Sequence, residues 1–283
     1  MLRIVVQAKG RLNEESLKLL SDAGINIDPR KRSLLAKSPD FPIEVLFLRD
    51  DDIPHAVATG VADIGIVGLN EVEEKQLRVQ ILEKIGFGKC RISLAIPKAE
   101  AYSGVEYFNG KRVATSYPII LSEFFKKNNI LADVHEISGS VEIAPAVGMA
   151  DAIFDIVSSG STLISNGLKE VETVLESEAV LIGNPNLSDE KKELLNRLLF
   201  RISAIKQSKG MKYMLINLPE SKIEDATKII PGMKSPTILP LAKEGWCSMH
   251  VVVKESELWE RIEQLKEIQA EDILVLSLDK IIM

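Results

Sequence analysis

Cysteine, aromatic residues and long apolar runs are all scarce in this chain of 283 residues. The two cysteines, Cys90 and Cys247, are too few for a disulfide framework, and neither belongs to a C-x-x-C pair of the kind that holds zinc. The first apolar run, Ile4–Val6, is far shorter than the roughly 7 to 15 residues of a signal-peptide core. No stretch approaches the roughly 20 apolar residues that a membrane-spanning helix needs. We therefore expect a cytoplasmic protein without a membrane span.

The composition is that of an ordinary globular protein. Hydrophobic residues make up 46% of the chain and charged residues 27%, which excludes the disordered and fibrous classes. Thirty-five Lys and Arg against 41 Asp and Glu give a net charge of −6, so we expect no nucleic-acid or membrane partner. A small polyanion would have to be bound by a local cluster of cations. The length predicts about two domains.

Short apolar runs alternate with helical patterns through the first two-thirds of the chain. This alternation predicts an α/β class fold with parallel strands, because parallel strands need a crossover element between them. In its first half the predicted elements are strands Leu2–Gln7, Ile43–Leu48 and Asp63–Val67 and helices Asn13–Ala23 and Asp52–Thr59. In its second half they are strands Arg91–Ile96, Arg112–Thr115, Asp133–Ile137 and a single long strand Val171–Ile182, with helices Ile119–Asn128 and Asp189–Lys206.

A weak internal repeat suggests two similar lobes. The segment Gly60–Val67 is echoed 88 residues later by Gly148–Asp155. In both copies a glycine closes a helix, an aspartate opens the next strand and an apolar run follows, although any helix-to-strand loop can show this pattern. Two lobes would leave a ligand cleft between them. We predict that lobe I comprises residues 1–89 and 169–206 and that lobe II comprises residues 90–168.

From about residue 207 the pattern changes to β-α-β-β-α-β, a ferredoxin-like split unit. A compact addition of this kind is more often regulatory or oligomerising than catalytic, although fold alone does not decide its role. We predict a third domain over residues 207–283. Its predicted elements are strands Met211–Leu218, Ser235–Leu239, Trp246–Val253 and Ile273–Leu278 and helices Ser221–Ile230 and Glu255–Ile268.

A hydroxyl-rich loop is the most informative chemical feature. The apolar strand that carries Asp155 runs into a loop in which four hydroxyl residues surround one glycine. Such a loop is typical of phosphate binding, because glycine lets the backbone come close and hydroxyls donate hydrogen bonds without adding charge. Asp155 is placed to bind ribose hydroxyls or a metal shared with the phosphates. The alternative is a serine-rich helix start with nothing bound. The loop residues are Ser158, Ser159, Gly160, Ser161 and Thr162.

Five separated motifs carry a resemblance to one family. They are RDDDIP at 49–54, KRVATSYP at 111–118, ISGSVEIAP at 137–145, ADAIFDIVSSGSTLISNGL at 150–168 and SPTILPLA at 235–242. Together they resemble the long form of ATP phosphoribosyltransferase, the family that opens histidine biosynthesis, over essentially the whole chain. The resemblance implies a two-lobed catalytic part of the type II periplasmic-binding-protein-like fold and a C-terminal ACT-like domain.

The same resemblance implies a reaction and its partners. N1 of the adenine of ATP would attack C1 of phosphoribosyl pyrophosphate, pyrophosphate would leave and phosphoribosyl-ATP would form. Mg²⁺ dependence, a homo-hexamer and inhibition by free histidine are also implied. The residues that match the family's histidine-binding region are Ser235, Thr237 and Ala270. A third domain that only builds the hexamer is the alternative.

Charge is the difficult part of this reaction. Neutral adenine already has a lone pair at N1, so no strong base is needed. Breaking the bond to pyrophosphate creates an oxocarbenium-like sugar between two anionic substrates, which calls for cations, positioning and a metal on the leaving group. We expect catalysis from Lys9, Arg49, Glu142 and Asp155, the last two also being candidate Mg²⁺ ligands, and phosphoribosyl pyrophosphate binding from Asp155 and the loop. The expected ATP-binding residues are Lys9, Gly10, Arg11, Arg49, Arg91, Thr115 and Tyr117.

Several of these residues have an alternative, structural interpretation. A single Lys or Arg is commonly solvated surface charge, and this alternative stays open for Arg11 and Arg91. Tyr117 either stacks on adenine, donates to a phosphate or packs at the end of a strand. Glu142 lies at a predicted helix start whose N–H groups could meet the ligand, and the alternative is that it only compensates charge there.

The roles of an aspartate run and of one cysteine complete the candidate list. The run Asp50–Asp52 either orients Arg49 or a metal, or supplies an N-cap through Asp52 ahead of Pro54. Cys90 is interpreted as a buried structural thiol, because no activating partner is identifiable for it.

Two rival functions come from other classes. A two-lobed module that binds a small molecule without catalysis would use the same fold, although the secretion signal that usually accompanies it is missing. A catalytically silent regulatory paralogue would keep the fold and lose the site, which the retained Lys9, Arg49, Asp155, Gly160 and Thr162 argue against.

Overall fold

A computed structural model of the chain describes residues 1–27 and 34–283, and these form two compact units, residues 1–195 and residues 196–283. The first unit contains two separate sheets and the second contains one. Within the described ranges, no helix combines the length and apolar character that a membrane crossing requires.

The elements of the first unit follow one another in chain order. Residues 1–89 form β1 Leu2–Gln7, α1 Arg11–Asp22, β2 Leu35–Lys37, β3 Ile43–Leu48, α2 Ile53–Ala58, β4 Ile64–Gly68, α3 Leu69–Lys75 and β5 Gln80–Lys84. The chain continues with β6 Cys90–Pro97, β7 Arg112–Thr115, α4 Pro118–Lys127, β8 Asp133–Glu136, β9 Ala152–Val157, α5 Ser161–Ser165, β10 Leu168–Ser177, β11 Ala179–Gly183 and α6 Asp189–Ser208.

Both sheets of this unit have parallel strands at the centre. The first has the order β2-β3-β1-β4-β11-β5, with β1 parallel to β3 and β4 and with β2 and β11 antiparallel to their neighbours. The second has the order β10-β6-β9-β7-β8, with β7 parallel to β8 and β9 and with β6 antiparallel to β9 and β10. The sheets are therefore mixed, and the expected parallel pairs form their centres.

The single long strand predicted over Val171–Ile182 is wrong. The structure has two strands there, β10 in the second sheet and β11 in the first, and they are separated at Glu178. The burial pattern gives the physical reason, because β10 is partly exposed while every residue of β11 is buried. The sheet order also places the crossing between the lobes at Glu178, whereas the predicted boundary at residue 169 falls inside β10.

The internal repeat has the same local geometry in both sheets. At the start of β1, the Arg3 N–H donates to the carboxylate of Asp63 at 2.8 Å, and the Asp63 N–H donates to the Arg3 carbonyl at 2.9 Å. At the start of β7, Arg112 and Asp151 exchange the equivalent bonds at 2.9 and 2.8 Å. The aspartate that opens each repeated strand therefore fixes the neighbouring strand by a reciprocal pair of bonds.

The second unit contains the predicted β-α-β-β-α-β arrangement, which is confirmed. Its four strands are antiparallel in the order β13-β14-β12-β15, and alternate residues such as Met214, Ile216 and Met249 are buried in one core. The boundary between the compact units falls inside α6, whereas the predicted third domain begins at residue 207. The elements are β12 Met211–Pro219, α7 Ile223–Ile229, β13 Thr237–Pro240, β14 Trp246–Lys254, α8 Leu258–Glu267 and β15 Glu271–Ser277.

Gly65 allows α2 to pack closely on the first sheet. A Cβ atom at this position would lie 2.9 Å from side-chain methyl groups of Val5 and Ile53 and 3.0 Å from one of Val57. All three neighbours are fully buried, so none has space to move away. Gly183, on the neighbouring strand, is different, because the three atoms nearest to its added Cβ all belong to the half-buried Leu82 side chain, the nearest being a terminal methyl group.

We predict that Gly65→Ala lowers the free energy of unfolding by about 1 to 3 kcal/mol, because the added methyl group overpacks the contact between helix and sheet. Gly183→Ala is the matched control, and its loss should be less than half as large because the Leu82 side chain can rotate. Urea unfolding of both variants measures the difference. Equal losses would contradict this account of Gly65.

Candidate active site

A cleft of about 300 Å³ lies within the first unit, between the ends of strands from its two sheets. Loops that follow β1, β3 and β4 line one wall, and residues that follow β7 and β9 line the other. Ligands of α/β sheets bind at the carboxyl ends of strands, and both walls here are built from such ends. The predicted site residues that line the cleft are Gly10, Arg11, Tyr117 and Ser158.

The first wall begins with the loop between β1 and α1. Gly10 has φ +92, a conformation that side chains rarely adopt, and it places Arg11 at the start of the helix. The Arg11 guanidinium pairs with Glu15 at 3.4 Å but is 79% exposed at the cleft rim. Gln7 donates to the Asp50 carboxylate at 3.2 Å and so ties the ends of β1 and β3 together.

Arg49 and Lys9 supply exposed cations near these strand ends. Arg49 lies 3.3 Å from the Asp51 carboxylate with its own side chain 80% exposed, so Asp51 orients it without burying it. This geometry agrees with an orienting role for the aspartate run. Asp52 directly precedes α2, and within the described residues its side chain makes no capping hydrogen bond. Neither Lys9 nor Arg49 lines the cleft itself.

A buried polar cluster joins the two walls, and the sequence analysis did not identify it. The Asn70 amide donates to the Glu71 carboxylate at 3.0 Å and to the Tyr117 hydroxyl at 3.1 Å, while Ser177 donates to the Asn70 amide oxygen at 2.9 Å. Burial, assisted by nearby Asp50, raises the pKa of Glu71 to about 7. Their position in the sequence could have identified Asn70 and Glu71, because both residues follow a strand that is parallel to β1 and therefore ends at the same edge of the sheet.

Tyr117 and Thr115 lie deeper than the sequence analysis expected. The Tyr117 ring packs in the core of the second sheet, and its pKa is raised by burial and by the neighbouring Glu71. Its hydroxyl belongs to the cluster, so stacking of the ring on a base is not supported by this placement. Thr115 is fully buried, and its hydroxyl accepts the Tyr117 N–H at 2.8 Å. Thr115 therefore orients Tyr117 and does not reach the cleft.

The hydroxyl-rich loop follows β9 on the second wall. Gly160 adopts a left-handed conformation with φ +79 just before α5, and the four hydroxyl residues around it are exposed. The Ser159 and Ser161 hydroxyls are hydrogen-bonded at 2.9 Å. Exposed hydroxyls at the end of a buried strand fit the predicted role as an anion-binding loop.

Arg91 supports this loop and is not a free cation. Its guanidinium forms two hydrogen bonds with the Glu170 carboxylate and reaches the Ser158 carbonyl at 3.4 Å. The ion pair lowers the pKa of Glu170 to about 2 and raises that of Arg91. Arg91 therefore acts on the site through the backbone of Ser158, which favours the structural interpretation of this residue.

Asp155 lies near the end of β9, where Glu142 adds to its negative surroundings, and neither residue lines the cleft itself. Burial raises the pKa of Asp155 to about 6, opposed by a hydrogen bond from the Ile156 N–H and assisted by nearby Glu142. In the part of the chain that the structure describes, no group of three or more His, Cys, Asp and Glu residues is arranged to hold a metal ion. The protein therefore offers two carboxylates here. Cys90 is half-buried, and burial raises its pKa, in agreement with a structural thiol.

The three residues predicted to bind histidine do not meet in one copy of the second unit. Ser235 lies just before β13 and Thr237 begins it, and both are exposed, whereas Ala270 directly precedes β15. These strands are opposite edges of the sheet, with β14 and β12 between them.

Comparison with known proteins gives this geometry its context. A family model described as ATP phosphoribosyltransferase matches residues 49–204, and one described as HisG, C-terminal domain matches residues 208–280. The ATP phosphoribosyltransferase of Bacteroides thetaiotaomicron is 60% identical over 283 residues, which cover all of both chains. The chain belongs to the ATP phosphoribosyltransferase family. The family resemblance seen in the sequence motifs is thereby confirmed.

Solved structures agree with a two-lobed fold in this family. The ATP phosphoribosyl transferase (HisG:HisZ) complex from Thermotoga maritima superimposes with a TM-score of 0.63 and 29% identity, covering 71% of this chain and 96% of that one. A histidine kinase sensor domain with similarity to periplasmic binding proteins superimposes with a TM-score of 0.51 and 11% sequence identity, covering 74% of this chain and 91% of that one. The second likeness bears on fold alone. The predicted periplasmic-binding-protein-like fold is confirmed.

Glu71 should make stability depend on pH. A folded-state pKa of about 7, above the ordinary glutamate value of 4.5, means that the folded chain holds the proton more tightly, so stability falls as pH rises from 4.5 through 7. Glu71→Gln stays neutral. We predict that its stability relative to the unsubstituted chain rises by about 2 kcal/mol between pH 5.5 and 8.5. Urea unfolding at both pH values, with exposed Glu73→Gln as control, measures this. A pH-independent difference would contradict the assignment.

Proposed function

We propose that this chain transfers the 5-phosphoribosyl group of phosphoribosyl pyrophosphate to N1 of the adenine of ATP, releasing pyrophosphate, as the first step of histidine biosynthesis. The observation that carries the proposal is the cleft, where the loop residue Ser158 and the strand-end residues Gly10 and Arg11 line one space. Membership of the family over the full length supports the same reaction.

Phosphoribosyl pyrophosphate is placed on the second wall. The exposed hydroxyls of the loop donate to its 5-phosphate, and Gly160 keeps the approach to the backbone free of a side chain. The half-buried Asp155 carboxylate accepts hydrogen bonds from the ribose hydroxyls. Arg91, which is paired with Glu170, holds the start of the loop in position through its contact with the Ser158 carbonyl.

ATP is placed on the first wall with its adenine towards the ribose. No residue has to remove a proton from N1, so the work of this wall is to orient the base and to bind phosphates. Arg11, Arg49 and Lys9 are exposed around the same strand ends and attract the triphosphate. As the bond from C1 breaks, these cations also offset the charge of the departing pyrophosphate.

Magnesium fits the two carboxylates of the second wall. Mg²⁺ prefers oxygen ligands and commonly completes its shell with water and substrate oxygens, so Glu142 and Asp155 suffice as protein ligands. Bound there, it supplies positive charge to the pyrophosphate leaving group.

The second unit is proposed to be an ACT-like regulatory domain that binds histidine in a homo-hexamer. A match to the family's C-terminal domain supports the regulatory role. Because Thr237 and Ala270 lie on opposite sheet edges of one copy, the histidine site is proposed to form between the edges of two copies. We also place the protein in the cytoplasm, where reduced thiols such as Cys90 and Cys247 persist.

Mixing the purified chain with ATP, phosphoribosyl pyrophosphate and Mg²⁺ tests the reaction directly. Attack by N1 changes the adenine chromophore, so a change in ultraviolet absorbance that needs all three components is the expected result. The rival function is a module that binds a small molecule without catalysis. Tight binding of some other solute, together with no absorbance change, would favour that rival.

Asp155→Asn should lower kcat/KM for phosphoribosyl pyrophosphate by about 10- to 100-fold, because a charge-assisted hydrogen bond contributes roughly 1.5 to 3 kcal/mol. Thr162→Val removes a neutral donor and should cost about fivefold. Ser165→Ala is the control, since that hydroxyl bonds to the Ser161 carbonyl within α5. Steady-state kinetics at saturating ATP measures the losses. Full activity in both loop-region variants would contradict the placement of the sugar phosphate.

Thr237→Val should raise the histidine concentration needed for half-inhibition at least about fivefold, because one hydrogen bond to the effector is lost. The rate without histidine should not change. Thr227→Val is the matched control, because its hydroxyl bonds to the Ile223 carbonyl inside α7. Inhibition curves of the full chain measure the effect. An unchanged curve for Thr237→Val would place the effector elsewhere.

A further inference from the structure

Helices α3 and α4 belong to different walls of the cleft and meet through one buried carboxylate. Glu74, in the last turn of α3, accepts the Ile119 N–H at 2.9 Å with one oxygen and the Ile120 N–H at 3.0 Å with the other. The Glu74 residue is 6% exposed. Both oxygens of a buried carboxylate on the first wall are therefore bound to the backbone of the second.

The start of α4 depends on this carboxylate. Within the described structure, Tyr117 at the N-cap position makes no side-chain capping bond, and Pro118 has no N–H to offer. The N–H groups of Ile119 and Ile120 are thus the first donors of the helix that need a partner. A cap usually comes from the residue just before the helix, whereas Glu74 is 45 residues away from Ile119 in the chain.

Two more hydrogen bonds connect α3 and α4 and the residues that flank them. The Asn70 amide donates to the Tyr117 hydroxyl at 3.1 Å at one end of α3, and the Gln76 amide donates to the Glu123 carboxylate at 2.6 Å at the other. Tyr117 also lines the cleft. The three contacts therefore connect the position of α3 to a residue at the wall of the site.

We propose that Glu74 is a positioning residue, which holds the second wall against the first by capping α4 and so keeps bound ATP in line with the ribose of phosphoribosyl pyrophosphate. The inference rests on the proposed function, since it assigns the two substrates to the two walls. Glu74 does not line the cleft and acts through Tyr117. ATP is assigned to the first wall, whose strand-end residues do not depend on this cap, so the loss of Glu74 should impair transfer between the substrates more than the binding of ATP.

The test compares Glu74→Gln with Glu73→Gln in the full chain. Both substitutions remove one negative charge from α3, but Glu73 is exposed. A glutamine at 74 has one acceptor oxygen in place of two. We therefore expect hydrogen exchange to accelerate about tenfold at one of the Ile119 and Ile120 amides in Glu74→Gln, as for a lost hydrogen bond, and at neither amide in Glu73→Gln.

Kinetics gives the readout that a merely structural cap would not move. In Glu74→Gln we expect kcat to fall roughly tenfold or more, because small misplacements of reacting groups are costly. The Kd of ATP alone, measured by calorimetry, should change less than about twofold, since the first wall is intact. Faster hydrogen exchange in Glu74→Gln with an unchanged kcat would overturn the proposal. An equal loss of kcat in Glu73→Gln would overturn it too.

Gln76→Ala keeps the proposal testable if Glu74→Gln does not fold. It removes the exposed bond to Glu123 and should lower kcat in the same direction by a smaller factor, whereas no loss would overturn the positioning role. The unsubstituted chain is assayed first. Failure to transfer there counts against the proposed function, while normal transfer that survives the loss of Glu74 counts against this inference alone.

Discussion

Two sheets with their parallel strand ends turned towards one space are the constraint on which the whole site depends. The chain crosses from the first sheet to the second between β5 and β6 and returns at Glu178. As a result, the residues after β1 and β4 face those after β7 and β9. The loop proposed to bind phosphoribosyl pyrophosphate and the strand ends proposed to bind ATP, far apart in sequence, are therefore brought to one place.

The distribution of charge within the cleft follows from this arrangement. Arg11 is exposed at the rim and Arg49 is exposed at the nearby end of β3, whereas Glu71 and Asp155 are withdrawn from water, which raises the pKa of both carboxyl groups. A chain with a net charge of −6 can thus attract anionic substrates locally. In the proposed arrangement Asp155 would accept hydrogen bonds from the ribose hydroxyls, the uncharged loop would bind the 5-phosphate, and the exposed cations would bind the triphosphate.

Sequence patterns predicted those elements that are determined by neighbouring residues in the chain. Periodicity identified β1, β3 and the whole C-terminal unit, and the Ser158–Thr162 loop was recognised by its composition. Helix α3 was missed because its charged sequence has little apolar periodicity, yet Asn70, Glu71 and Glu74 are all buried there by contacts with distant residues. The burial of Thr115 and the separation of Thr237 from Ala270 depend on strand order, which no local pattern encodes.

A crystal structure of the full chain with phosphoribosyl pyrophosphate and Mg²⁺ would test the central claim most directly. The account predicts that the 5-phosphate lies against the backbone and hydroxyls of Ser158–Thr162, with the ribose hydroxyls at Asp155. Substrate bound at another surface, with this loop in contact only with solvent, would contradict it.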